Sequence, residues 1–289
     1  MTMNNFAVLI LTNNRPEKVI TIKNLRDQGY TGRIVLVLDD QDKTLNQYKS
    51  NYPNDEFYVF NKQEAMNLTD SADNTNNPKA VVYARNMCFK IASDLGLEYF
   101  LELDDDYTGF RYTSNSSDIW ERKKIKSLDK VFQAFVEFLS NTNIQTIAFA
   151  QGGDFIGGHM SMFGDIKLKR KAMNSFFCKT DRPFMFYGLI NEDVNMYVVD
   201  GSRGKICFTA SHVQLDQIQT QANSGGLTTI YLELGTYVKS FYSVMYHPSS
   251  VVVKEMGTSH KRIHHSIKSE LTYPKIISES YKKLTKSER

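Results

Sequence analysis

A chain of 289 residues with 41% hydrophobic and 23% charged side chains has ordinary globular usage and length enough for one large α/β domain. Its formal net charge of +3 excludes a strongly basic nucleic-acid packer but leaves room for a local basic face. Cys88, Cys178 and Cys207 are odd in number, widely spaced and form no CxxC pair, which argues against a disulfide framework or a zinc site and fits a reducing cytosol. The first apolar run, "FAVLIL", follows Asn4 and Asn5 with no basic segment and no cleavage site, so a strand is expected there and not a signal peptide. No apolar stretch approaches the roughly 20 residues of a membrane helix, so a soluble, intracellular protein is expected. After a polar turn, Val19, Ile22 and Leu25 recur at helical spacing. "GRIVLVLDD" is a second continuous apolar run, ending in Asp39 and Asp40, and "EFYVF" is a third candidate strand. "NLTDSADNTNNP" reads as a surface loop before the helix "KAVVYARNMCFKIASDLG", which Gly96 caps. "LEYFLELDDD" follows as a further strand. Continuous Val, Ile and Leu runs indicate strands buried on both faces, hence a parallel sheet covered by helices.

The alternation of strands and helices over the first ~105 residues predicts a Rossmann-like half, whose ligands bind outside the carboxyl ends of the strands. Thr12 to Asn14, Asp39–Asp40 and Asp104 to Asp106 all fall at such ends and should converge on one crevice. The later chain is less regular. A helix is expected over about Leu128 to Leu139, then a strand "TIAFAQ", a Gly-rich loop "GGDFIGG" and a basic strand or hairpin "KLKRKAMNSFFC". Helical potential returns in "NEDVNMYVV", a strand in "ICFTASHVQLD", and a short helix and a strand before the basic tail. With no repeat and no Gly-, Pro- or Ser-rich linker, residues 1–289 read as one domain, with a nucleotide half to about residue 110 and an acceptor half beyond.

Three adjacent carboxylates at a strand tip repel one another unless a cation or a set of donors compensates. Alternate residues there can reach one ligand, so Asp104 and Asp106 can share a hard divalent ion together with phosphate oxygens and water. The plainer reading is an acidic turn. Glu192 and Asp193 supply a carboxylate able to act as general base, or simply acids favoured at a helix N-terminus. "SHKRIHHSI" gathers His260, Lys261, Arg262, His264 and His265, where an imidazole could complete a metal shell and the cations a diphosphate site. Its plainer reading is a solvated basic stretch. Arg85, in "ARN", can reach the aspartates or a diphosphate, or lie on the surface.

In this order (a strand with a polar end, the "ARN" helix, D-x-D at a strand end, "ED" at a helix start, a late histidine) the chain resembles the GT-A glycosyltransferases. "YLELGTYVKSFYSVMYHPSSVVV" followed by "RIHH" resembles the TET/JBP-associated group, centred on phages and predicted to glycosylate hydroxymethylated pyrimidines in DNA. The resemblance implies a mixed, mainly parallel GT-A-like sheet flanked by helices, and a metal-dependent glycosyltransferase that uses a nucleotide-sugar, UDP-sugar by expectation. It implies Mn²⁺ or Mg²⁺ on Asp104, Asp106 and His265, with His264 as the alternative. Thr12, Asn14, Asp39, Arg85, Asp104, Lys261 and Arg262 would hold the donor, and Glu192 and Asp193 would serve the acceptor. For the acceptor, "RKKIK", "KLKRK" and the late cluster, with 16 Tyr and 18 Phe, suit a DNA strand, with Lys169 and Arg170 on its track. A phage-encoded chain would then act in the host cytoplasm. The competing readings are a glycan, lipid or protein acceptor, or an inactive nucleotide-sugar-binding module.

Overall fold

The computed structural model describes residues 5–71, 77–116, 119–155, 168–218, 238–256 and 261–272; the side chains of 115, 116, 119, 120, 168, 169 and 262 lie outside this description. The apolar runs form β1 (Phe6–Leu11), β2 (Arg33–Asp39), β3 (Glu56–Phe60) and β4 (Tyr99–Asp104). All four run parallel, with β1 flanked by β2 and β4. Their alternation sorts side chains to two cores. Ala7, Leu9 and Leu11 of β1 face one core with α4 (Val82–Asp94) and α6 (Glu192–Ser202). Phe6, Val8 and Ile10 face the other, with α1 (Ile20–Asp27) and α5 (Leu128–Ser140). Burial on both faces is why these strands read as continuous apolar runs. Gly96, at φ +67°, ends α4 in the left-handed conformation expected of a helix C-cap.

The remaining strands continue the same sheet. They are β5 (Tyr107–Ser116), β6 (Ile119–Lys124), β7 (Thr146–Gln151), β8 (Leu168–Lys169), β9 (Ser175–Lys179) and β10 (Cys207–Gln217). The order is β3-β2-β1-β4-β9-β7-β10-β5-β6, with β8 on β10. Strands β5, β8 and β9 run against the common direction, so the sheet is mixed and mainly parallel, as expected. One sheet therefore joins the two halves, and β9 is the seam. A separate antiparallel ribbon, β11 (Val251–Met256) with β12 (Arg262–Ile267), follows a helix α7 (238–246) and precedes α8 (Ser269–Thr272).

Three features lie beyond the sequence reading: the β5–β6 hairpin, the short helices α2 (Leu45–Asn51) and α3 (Lys62–Leu68), and the split of the basic segment into β8 and β9. The hairpin is tied to the core by one buried amide. Gln28 Nε2 donates to the carbonyls of Phe110 (2.7 Å) and Ile125 (2.9 Å), and its Oε1 accepts from Phe110 N (2.9 Å). The Phe110 carbonyl also accepts from Ile125 N (3.0 Å), so Gln28→Leu would leave two buried backbone groups, Phe110 N and the Ile125 carbonyl, without this partner, an expected loss of about 2 kcal/mol or more. Urea unfolding of the two proteins measures it.

Candidate active site

The polar tips of β1, β2 and β4 converge at the carboxyl edge of the sheet, as the sequence predicts. Along β4 the period of two matters. Glu102 and Asp104 project to the α4 side, while Asp105 turns to the β1 side. Arg85 of α4, 2% exposed, meets the first pair. Its Nη1 donates to Glu102 Oε1 (2.5 Å), its Nη2 to both oxygens of Asp104 (3.0 and 3.2 Å), and its Nε to Glu192 Oε1 at the start of α6 (3.0 Å). The guanidinium also lies against the Phe176 and Phe186 rings. Burial opposes the Arg85 charge, but the surrounding carboxylates outweigh it and push its pKa further up.

Asp105, fully buried, is held from the β1 side. Arg15 N–H donates to the Tyr48 hydroxyl (3.0 Å), Tyr48 to Thr12 Oγ1 (2.8 Å), and Thr12 to Asp105 Oδ2 (2.6 Å). Arg15 Nε also lies 2.7 Å from Asp105 Oδ2, close in charge but out of line for a hydrogen bond; the other oxygen, Oδ1, is buried without a hydrogen-bond partner. Thr12, expected at the donor, is thus engaged with Asp105. Asp39, also buried, accepts from Lys62 Nζ (2.8 Å), Asn13 Nδ2 (2.7 Å) and Gln41 N (3.0 Å). Asn14 stands exposed at the β1 tip.

Three asparagines, Asn14, Asn174 and Asn191, are the non-glycine residues at positive φ among the described residues, and all border this site. Such conformations cluster where function over-determines the backbone. The Tyr107 hydroxyl lies between Asp104 Oδ2 (3.1 Å) and the Asn174 carbonyl. Asn191 precedes Glu192, and its Nδ2 reaches the Lys239 carbonyl (2.8 Å) and lies 3.4 Å from His265 Nδ1. His265 is therefore brought to Asn191, the residue that precedes Glu192 and Asp193.

Negative charge is in excess. Glu102, Asp104, Asp105, Asp106, Glu192 and Asp193 face two guanidiniums, those of Arg85 and Arg15, and the ammonium of Lys171, whose charge reaches Asp193. Burial raises Glu102 to about 7 against the pull of Arg85, and raises Asp105 to about 6 against Arg15 and Thr12. Asp106 rises to about 6 through burial and the charges of Asp104 and Asp105. Glu192 and Asp193, both buried, are pushed up chiefly by burial. His265 is lowered to about 4 by burial, His264 and Lys239, and so is a neutral imidazole near pH 7.

The carboxylate oxygens, the unpartnered Asp105 Oδ1 and the uncompensated charge fit a hard divalent cation. Among the described residues, however, no three His, Cys, Asp or Glu groups assemble a ready ion site. Asp104 is spent on Arg85 and His265 lies against Asn191, so the expected trio of Asp104, Asp106 and His265 is not preassembled. Lys261 pairs with Glu255 (2.8 Å) on the exposed ribbon, and Arg170 is half-buried with its charge reaching the Cys207 thiol. His264 packs against the His265 ring on the same ribbon. His260 and the side chains of Lys169 and Arg262 fall outside the described residues. Missed in the sequence were Glu102, Tyr107 and Asn174; the i, i+2 relation of Glu102 to Asp104 was the available signal.

A mainly parallel α/β sheet with its charged centre at the carboxyl ends of β1, β2 and β4 defines the class of nucleotide-handling folds. Within it, the model of the TET-Associated Glycosyltransferase family matches residues 6–226, so the chain belongs to that family and is a glycosyltransferase. The match takes in the Asp104–Asp106 tip and Glu192–Asp193, and ends before the C-terminal stretch that carried part of the resemblance. No curated protein sequence matches the chain. Among solved structures, it is similar to S. aureus TarS residues 1–349, at 16% identity and TM-score 0.43, over 73% of this chain and 60% of that one. It is also similar to glucosyl-3-phosphoglycerate synthase from Mycobacterium tuberculosis, solved with Mn²⁺, UDP and phosphoglyceric acid, at 9% identity and TM-score 0.46, over 91% and 87% of the two chains. No helix among the described residues is long and apolar enough to cross a membrane.

Proposed function

We propose that this glycosyltransferase moves a sugar from a UDP-sugar, held through Mn²⁺ or Mg²⁺, to the hydroxyl of a hydroxymethylated pyrimidine in DNA. One observation carries the reading. The Arg85 guanidinium binds Asp104 of the D-x-D tip and Glu192 at the start of α6, each at 3.0 Å, which supports reading the proposed donor and acceptor elements as one centre. Asp104 and Asp106 would hold the ion, with the donor's diphosphate and water completing its shell, and Asp39 with Lys62 would take the nucleoside. The ion supplies Lewis-acid stabilisation of the departing diphosphate. Thr12 keeps Asp105 in place and Arg85 positions Asp104. Asp193, with Oδ1 accepting Val194 N (2.7 Å), keeps Oδ2 to take the acceptor's proton. His265, neutral and beside Asn191, would face the diphosphate. The DNA acceptor is supported by the family's TET association and by the exposed cations of the β5–β6 hairpin, and it fits a cytoplasmic site of action.

The test is incubation with a panel of UDP-sugars, Mn²⁺ and 5-hydroxymethylcytosine DNA, followed by mass spectrometry of the nucleosides. Sugar on the modified nucleoside is expected, and its loss with Asp106→Ala. A parental rate in that variant would remove the ion from Asp106. UDP release to a glycan with none to DNA would move the acceptor. Binding itself is expected to depend on pH with a definite sign. Asp105 and Asp106 have folded pKa values above the ordinary carboxylate range, so they stabilise the fold below about pH 4 and lose that contribution as pH rises through about 6. A cation reverses the penalty on their charged forms. The rise in Tm on adding Mn²⁺ with UDP should therefore be larger at pH 7.5 than at pH 5.

A further inference from the structure

Resting on the DNA reading above, we infer that the target pyrimidine is turned out of the duplex and seated in a pocket at the carboxyl ends of β7 and β10. The pocket, of about 250 Å³, is lined by Gln151, Gly152, Gly153, Leu215, Asp216 and Gln217. It lies below the roughly 300–1,000 Å³ of sites for drug-sized ligands, which suits one small ring better than a nucleotide-sugar. It abuts the acidic tip: Ile218 N, next along β10, donates to the Asp106 carbonyl (3.3 Å). Gln217 Oε1 accepts from Asn174 Nδ2 (3.0 Å), and the Asn174 carbonyl contacts the Tyr107 hydroxyl beside Asp104. One hydrogen bond, from the lining residue Ile218, or three, through Gln217, Asn174 and Tyr107, therefore separate the pocket from the proposed donor centre.

Its chemistry is that of a site for a neutral, hydrogen-bonding ring. Asp216 is paired with Arg111 and accepts from Gln214 Nε2 (2.8 Å), and none of the lining residues is a lysine or arginine that could receive a phosphate. Gln151 Nε2 is buried with no hydrogen-bond partner, and such a donor calls for an acceptor from a ligand. A pyrimidine carbonyl or ring nitrogen supplies one. The two glycines leave room: a Cβ on Gly153 would meet nothing within 4 Å, and one on Gly152 would first meet Gln214 Nε2 at 3.8 Å. A register shift of β10 against β7 between Ala210 and Gln214 marks the irregularity that precedes the pocket wall.

The phosphates find their partners at the mouth. Arg111, half exposed, contacts the pocket residue Asp216, and Arg122 lies 5.7 Å from the Phe155 ring at the end of the Gly152–Phe155 turn. Lys124 stands opposite Arg111 in the hairpin register, and Lys123 beside it is 79% exposed. Extrusion follows from depth. Asp193 is 6% exposed, and a hydroxymethyl group still stacked in a duplex groove cannot be carried to so recessed a carboxylate.

The experiment uses duplexes with one 5-hydroxymethylcytosine, set opposite guanine or opposite an abasic site, with 2-aminopurine beside the target. Removing the pairing partner lowers the cost of extrusion, so single-turnover transfer should be at least about tenfold more efficient opposite the abasic site. The 2-aminopurine fluorescence should rise when the parent protein binds. Gly153→Leu fills the pocket; it should abolish the fluorescence rise and cut transfer on the order of a hundredfold on both duplexes, with its melting temperature as the control for folding. Gln151→Leu, which removes the donor without filling the space, should slow transfer and keep the fluorescence rise. Sugar transfer with equal efficiency on both duplexes and no fluorescence change would overturn the pocket while leaving the DNA reading intact. So would Gly153→Leu acting at the parental rate. No sugar on either duplex, with UDP released to another acceptor, would remove the DNA reading and this inference with it.

Discussion

Asp193→Asn is expected to lower sugar transfer by about 10²–10⁴-fold, the range for a missing general base, with UDP-sugar affinity unchanged. The amide keeps the volume and can still accept from Val194 N, so helix α6 keeps its first turn. What disappears is the carboxylate oxygen that would take the acceptor's proton. Burial raises the Asp193 pKa, and Arg85 pulls it back. A base raised in this way is a stronger proton acceptor once ionised, so the parent's rate should climb with pH as the acid is deprotonated. The variant should lose that rising limb. Transfer rates across pH for the two proteins, with calorimetric donor binding in parallel, give the result. A loss in donor affinity as large as the loss in rate would place Asp193 at the donor instead.

What could be read in the sequence was set by burial and by range. Strands β1, β2 and β4 announce themselves because both faces are covered, so no polar residue interrupts them until the tip. The tips then carry Thr12, Asp39 and Asp104, and parallel pairing alone brings them together. The β5–β6 hairpin gives no such signal: "RYTSNSSDIWERKK" is a polar edge whose register is fixed by β10 and Gln28, about a hundred residues and eighty residues away from it. The insertion of antiparallel β9 between β4 and β7 is likewise a long-range outcome, and it places Phe176 beneath Arg85. Arg85 was legible as a candidate by its helix, but its bond to Glu192 spans 107 residues. Lys261 and Arg170 show the converse. Both sit in basic runs that suit phosphate, yet local pairing and burial direct them elsewhere.

Arg85→Met is expected to cost the fold about 3–5 kcal/mol, the usual loss when one partner of a buried ionic network is removed. Three carboxylates depend on this guanidinium, and Glu102, 1% exposed, has no route to solvent. The Tm should fall on the order of 10 °C. The sign of its pH dependence follows from linkage. Folded Glu102 titrates at about 7, above the ordinary glutamate range, so its contribution is present below about pH 4 and is lost as pH rises through 7. Without Arg85 the charged carboxylates face the same burial and no compensation, so the deficit of the variant should widen from pH 5 to pH 8. Arg85→Lys should not restore stability, because one ammonium cannot reproduce a planar fork aimed at three groups in fixed directions. Adding Glu102→Gln to Arg85→Met should recover part of the loss, since it removes the buried charge that the guanidinium had neutralised. Thermal unfolding of the parent, both single variants and the double variant across pH checks the coupling. A uniform deficit at every pH, with no recovery in the double variant, would reduce Arg85 to a packing residue and leave the acidic centre without its organising cation.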